Sequence, residues 1–243
     1  MFMKKCLLLS NSLLILNSLL FVACTAAPSQ TALSSSLDPT NGTEVWLVNS
    51  LEKIGDSPVI VLGNPKVVSS SQGSVVSFDG DGDRLLVDKN PLKDAAEFTI
   101  EIIFNPAAAF PANIEPRFFH IEAPDNPNRR VTIELRLNDK NQWYLDAYIK
   151  SEQSQFTLID STMVHPIGKW AHAAITYKNR EFVSYVNGNK ELTGQVDYLP
   201  IAAHAQTSIG ARMNQVHWFK GEVAQVRISH RVLESDEFLS LPK

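Results

Sequence analysis

Gly168-Lys169-Trp170-Ala171-His172-Ala173-Ala174-Ile175-Thr176-Tyr177, followed by Phe182 to Val186 and then Asn187-Gly188, is the stretch that decides the fold. Two short runs rich in aromatic and β-branched residues flank a polar break, which is how antiparallel strands announce themselves. Asn187-Gly188 suits a two-residue turn whose central positions need positive φ. Trp170 and, further on, Phe219 are large apolar groups expected in a core between two sheets.

The same punctuation recurs outward in both directions. Strands are predicted at Pro58 to Leu62, Ser74 to Phe78, Arg84 to Val87, Phe98 to Phe104, Arg117 to Ile121, Val131 to Leu137, Trp143 to Ile149, Gln155 to Ile159, Thr207 to Ile209 and Phe219 to Ile228. Gly, Pro, Asn and Asp clusters separate them, the pattern of a sandwich or barrel. Helix is expected only at Ser235 to Leu239, where Glu234, Asp236 and Glu237 favour a helix start.

Period-two alternation gives two of these strands distinct faces. Val131, Ile133, Leu135 and Leu137 oppose Thr132, Glu134, Arg136 and Asn138. Trp143, Leu145, Ala147 and Ile149 oppose Tyr144, Asp146, Tyr148 and Lys150. A hairpin through Asn138-Asp139-Lys140-Asn141 would set the two polar faces side by side. Glu134, Arg136, Tyr144, Asp146 and Tyr148 then form a candidate ligand face. Aromatic rings cover the C–H faces of a pyranose, while a guanidinium fork and carboxylates satisfy its hydroxyls or an acidic substituent. A solvated sheet face with cross-strand pairs is the plainer reading of the same residues.

The ends of the chain read differently. Lys4 and Lys5 precede an apolar run from Cys6 to Val22 that is broken by Ser10, Asn11, Ser12, Asn17 and Ser18, the grammar of an export signal over residues 1–23. Leu20-Phe21-Val22-Ala23-Cys24 resembles the lipobox at which bacterial lipoprotein precursors are acylated, which implies a mature start at a lipidated Cys24. Both cysteines of the chain lie in this leader, so no disulfide is expected in the folded part. Thr25 to about Ser36 is rich in Ala, Ser, Thr, Pro and Gln and reads as a tether, with residues 24–43 preceding a domain over 44–243. Thr25 after the cysteine resembles lipoproteins sorted to an outer membrane.

Read in order, the segments resemble the three-block laminin-G-like family of concanavalin A-type lectin and glucanase domains. Ser77-Phe78-Asp79-Gly80-Asp81-Gly82-Asp83-Arg84-Leu85 is similar to its turn before a strand, and Phe98-Thr99-Ile100-Glu101 to the strand that follows. Trp170 to Tyr177 with Tyr185-Val186-Asn187-Gly188 resembles its central strand and hairpin. Ser208-Ile209-Gly210, Phe219 to Val223 and Val226-Arg227-Ile228 resemble its closing strand. The resemblance implies an all-β, two-sheet antiparallel β-sandwich of jelly-roll type.

Asp79, Asp81 and Asp83 alternate as in calcium-binding loops, so calcium is the one cofactor with any support. Arg84 stands where such a loop wants Gly, and the resemblance's second acid is replaced by Ala224 and Gln225, so a bare turn is the first reading. No catalytic residue is expected. The one-strand pair of acids that glucanases of this fold use is missing, and neither Glu101 nor Glu134 has an evident partner. Echoes of jelly-roll alginate lyases in Ile133 to Arg136, Gln215 to His217 and Trp218 to Gly221 fail on spacing. The six histidines have no metal-ligand spacing.

A 243-residue chain with 44% hydrophobic and 20% charged residues suits one large β domain. Its net charge of -4 gives no general field for nucleic acid, and no basic patch is legible. The expectation is an envelope-anchored binding module for carbohydrate, attached to the membrane by lipid alone. A protein-binding or structural envelope module is the alternative, and a polysaccharide lyase or glycoside hydrolase of the same fold stands third.

Overall fold

The computed structural model describes residues 42–241, so the export signal, Cys24 and most of the tether lie outside the described residues. Seventeen strands follow in order: β1 (Thr43–Leu47), β2 (Lys53–Ile54), β3 (Ser57–Leu62), β4 (Lys66–Ser70), β5 (Gly73–Asp79), β6 (Arg84–Val87), β7 (Phe98–Pro106), β8 (Arg117–Ala123) and β9 (Asn126–Leu137) come first. They are continued by β10 (Gln142–Ser151), β11 (Ser154–Ile159), β12 (His165–Pro166), β13 (Ala171–Lys178), β14 (Glu181–Val186), β15 (Asn189–Gln195), β16 (Gln206–Ile209) and β17 (Lys220–Ser229). The first sheet runs β15-β14-β13-β7-β17-β5-β4, with β1 also on β17; the second runs β11-β10-β9-β8-β16-β6-β3-β2, with β12 on β10. The paired strands are antiparallel, and the architecture is the expected two-sheet sandwich.

Alternation places the core between the sheets. Trp46, Phe98, Phe104 and Phe182 from the first sheet meet Phe118, Phe119 and Trp143 from the second, all essentially without solvent contact. Trp143, Phe104, Phe118, Phe219 and Phe78 form a continuous aromatic seam, with successive ring centroids 5.2, 4.6, 5.2 and 6.2 Å apart. Each such ring buries a large apolar area and also fixes its strand in register and height. Because Phe118 and Trp143 anchor β8 and β10 from below, their neighbours Arg117 and Tyr144 are directed to the opposite, outward face.

The predicted turn at Asn187-Gly188 is present, with φ of 50° and 78° at the two positions. The structure departs from the sequence reading at Trp170, at the final helical turn and at five strands not predicted, β1, β2, β4, β12 and β15. Trp170 is not in the inter-sheet core: β13 sends Ala171, Ala173 and Ile175 inward, so by parity Trp170 falls on the outer side, packed with Val75, Ile103 and Ala224. β4 and β15 are edge strands with mostly polar, exposed residues, so no apolar alternation marked them. The helix expected over Ser235 to Leu239 is a single 3-10 turn, Ser235–Glu237, after which the chain is extended and Leu239 N–H donates to Glu101 Oε1 at 2.7 Å. Among the described residues no helix is long and apolar enough to cross a membrane.

Candidate functional site

The hairpin predicted through Asn138 to Asn141 joins β9 and β10, in a register that sets Tyr144 opposite Arg136, Asp146 opposite Glu134 and Tyr148 opposite Thr132. The polar faces are therefore adjacent, as expected. β8 pairs on the other side of β9, and an irregularity between Arg117 and Phe119 turns Phe118 into the core and sets Arg117 outward opposite Glu134. The resulting cavity, about 190 Å³, is lined by Arg117, Arg130, Thr132, Glu134, Arg136, Asp146, Tyr148, Thr157 and Arg212. That volume is smaller than a pocket that engulfs a drug-sized molecule, and suits one ring or one charged substituent of a larger ligand.

Arg212 reaches this cavity from the loop after β16, which is latched onto the outward face by its neighbour. Met213 N–H donates to His120 Nδ1 at 2.9 Å, and Met213 C=O accepts from Arg84 Nη1 at 3.2 Å. An imidazole that accepts at Nδ1 carries its proton on Nε2, and that atom lies 3.1 Å from Glu122 Oε2. Burial holds His120 below its ordinary range, which keeps the ring in this neutral form.

Charge in the cavity alternates along a chain. Arg136 Nε donates to Asp146 Oδ2 at 2.7 Å, and its Nη1 lies 2.9 Å from Glu115 Oε2. Arg117 Nη2 reaches the same Glu115 oxygen at 2.7 Å, while its Nε lies 3.1 Å from Glu134 Oε2 as an ion pair without hydrogen-bond geometry. Burial pushes Glu134 up to about 7; the Arg117 charge opposes that rise and the Asp146 charge adds to it. For Glu115, burial also acts upward, but Arg136 and Arg117 outweigh it and hold the group below the usual carboxylate range.

Of the five residues singled out from the sequence, Glu134, Arg136, Asp146 and Tyr148 line the cavity, and Tyr144 sits on the same face just outside it. Tyr148 is not an open platform for a sugar ring. The Arg130 guanidinium lies 5.1 Å from its ring centroid, and its hydroxyl donates to Gln155 Oε1 at 2.7 Å. Sequence reasoning missed Arg117, Arg130 and Arg212, and so missed a local cluster of four guanidinium groups in a chain of net negative charge. Carboxylates interleave with these groups, so the cluster is a compact pocket and not a track for a phosphate backbone.

Glu134 does have an acidic partner, contrary to the sequence reading: Asp146 faces it across the strand pair. A glycosidase needs one carboxylate free to attack or to activate water and a second presented to the leaving group. Here Asp146 is 2% exposed with Oδ2 held by Arg136, and Glu134 is 5% exposed against Arg117. Gln215 and His217 of the lyase echo lie in the loop between β16 and β17, each at positive φ, and His217 is tied to the start of β8, its carbonyl accepting Arg117 N–H at 2.9 Å.

The Asp79 to Asp83 turn is held by its own acids. Asp83, 1% exposed, accepts Asn64 N–H at Oδ1 (2.6 Å) and Asp79 N–H at Oδ2 (2.9 Å), and Asp79 Oδ1 accepts Asp81 N–H at 2.7 Å. Asp83 spends both oxygens on backbone donors, which favours the bare turn over calcium. Among the described residues no group of three His, Cys, Asp or Glu side chains is arranged to hold a metal ion.

Two stacked antiparallel sheets define a jelly-roll β-sandwich. The family model of the concanavalin A-like lectin/glucanases superfamily matches residues 79–238. The chain belongs to that superfamily. No curated protein matches the sequence. Among solved structures, domain 4 of AbnA, a GH43 extracellular arabinanase from Geobacillus stearothermophilus in complex with arabinotriose, matches with a TM-score of 0.60 at 16% identity, over 79% of this chain and 94% of that one. The binding domain of Paraclostridial Mosquitocidal Protein 1 matches with a TM-score of 0.60 at 17% identity, over 82% of this chain and 51% of that one. The binding domain of botulinum neurotoxin DC, in complex with rat synaptotagmin II, matches with a TM-score of 0.57 at 16% identity, over 81% and 50%. The chain thus spans about half the length of the toxin binding domains, and at these identities the likeness is one of fold.

Proposed function

We propose that the domain is a non-catalytic carbohydrate-binding module, held at a bacterial cell envelope by a lipid on Cys24. The observation that carries this reading is the cavity on β8, β9 and β10. It is sized for a sugar ring or substituent and lined by planar donors, hydroxyls and a tyrosine, while its two acids are buried in ion pairs and not presented to a substrate. The arabinanase domain solved with arabinotriose supports a glycan as ligand, and the neurotoxin domain solved with synaptotagmin supports a protein. The small size of the cavity favours the glycan, because it admits one ring or substituent, whereas a protein partner covers a patch of about 800 Å².

A glycan microarray probed with the purified protein tests the reading. Selective retention of one glycan class, with no reducing ends and no ultraviolet-absorbing unsaturated product released from it, is the expected result. Retention of no glycan, together with tight capture of a single envelope protein, would replace it with the adhesive reading. Turnover of any retained glycan would return the domain to the enzymes of this fold.

A further inference from the structure

Building on the carbohydrate reading, we infer that the cavity selects an anionic sugar, gripping a carboxylate or sulfate ester between Arg130, Arg212 and the Thr132 hydroxyl.

The four arginines of the cavity are not equivalent. Arg136 and Arg117 are consumed by Asp146, Glu115 and Glu134. Among the described residues, Arg130 and Arg212 have no carboxylate within ion-pair distance. Arg130 donates only to the Pro127 carbonyl and leans on the Tyr148 ring. Arg212 is half-buried, and burial draws it below the ordinary guanidinium value. Glu134 and Glu122 are the carboxylates whose charge it feels, and each is already engaged, with Arg117 and His120 respectively.

Thr132 supplies the second, independent observation. It is 1% exposed, it lines the cavity, and its Oγ1 has no hydrogen-bond partner. Leaving a buried hydroxyl unpaired costs about 1–3 kcal/mol, so such a group in a cavity wall points to a ligand atom that completes it. The bond register sets Thr132 between His120 and Tyr148, with Arg130 two positions along the same strand face, so the free hydroxyl and a free guanidinium share one side of the cavity. Four guanidinium groups here face Glu115, Glu122, Glu134 and Asp146, and burial raises only Glu134, to about 7. Overall the charges nearly balance, and the guanidinium groups left without a carboxylate within ion-pair distance are those of Arg130 and Arg212. A guanidinium fork meets a carboxylate or sulfate with two parallel N–H donors, which a hydroxyl alone cannot match.

The test is titration calorimetry on the purified protein with matched pairs: oligogalacturonate against its methyl ester, sialyllactose against lactose, and a sulfated disaccharide against its desulfated form. The charged member of at least one pair should bind tenfold or more tighter than its neutral twin, and which pair does so tells carboxylate from sulfate. Arg130→Ala and Arg212→Ala should each weaken that binding tenfold or more, and Thr132→Val several-fold, with melting temperatures near that of the parent. Rising salt should weaken the charged ligand and spare the neutral one. Equal binding of charged and neutral twins would overturn the anion inference and leave the glycan reading standing. Charged binding untouched by the three substitutions would overturn this placement. Failure of every glycan to bind would sink both.

Discussion

Glu134→Gln is the substitution whose effect follows most directly from the structure. A free glutamate titrates near 4.5, whereas burial holds Glu134 at about 7. A displacement of that size corresponds to about 3 kcal/mol, since each unit is worth about 1.4 kcal/mol. The native state therefore keeps a proton that the unfolded chain releases between these two values. The stabilisation is whole below pH 4.5 and is lost as pH rises through 7. Glutamine is neutral throughout and nearly isosteric, so the variant should match its parent at pH 4.5 and exceed it by about 2–3 kcal/mol at pH 8.5. Glu101, Glu115 and Glu122 are held below the usual range, so their contributions are lost only at acid pH. His120, held low, costs stability as pH falls below its unfolded value. These terms are common to both proteins and cancel in the difference. Urea unfolding of parent and variant from pH 4.5 to 8.5 measures it. Parallel stability curves, or a variant less stable than its parent at pH 8.5, would mean that Glu134 does not hold a raised pKa in the native state.

Three further outcomes are expected. Arg136→Ala strips the 2%-exposed Asp146 of its guanidinium and should cost about 3 kcal/mol in chemical unfolding, with Arg136→Ala/Asp146→Ala recovering much of the loss. Gly210→Ala should cost about 2–3 kcal/mol or prevent folding, because φ there is 92° and a Cβ would lie 2.4 Å from the Phe78 ring at the root of the Arg212 loop. Cys24→Ser should move the protein from the membrane to the soluble fraction of the envelope; unchanged membrane association would count against a lipid anchor.

The sandwich was legible because its evidence is local. Val131 to Leu137 and Trp143 to Ile149 carry a period of two, and Asn187-Gly188 specifies its own turn, so strands, faces and one hairpin could be read without coordinates. What resisted reading was non-local or unpatterned. Arg117 is aimed outward by an irregularity in β8, and one residue of slip would have buried it. Arg212 sits in a loop with no periodicity, placed by hydrogen bonds of Met213 to residues 93 and 129 positions away. The pairing of Asp146 with Glu134 depends on the register left by a four-residue connection, which the hairpin's alternation alone does not fix. Trp170 shows the converse, since the parity of β13 would have sent it outward had its size not suggested core.

The carbohydrate reading puts recognition on the outward face of β8, β9 and β10. Amide chemical-shift mapping of the purified protein, titrated with whichever glycan it retains, tests this most directly. Saturable shifts concentrated at Arg117, Arg130, Thr132, Tyr148 and Arg212 are expected. Shifts gathered instead at the Asp79 to Asp83 turn or on the outer side of the β7 and β13 sheet would contradict it.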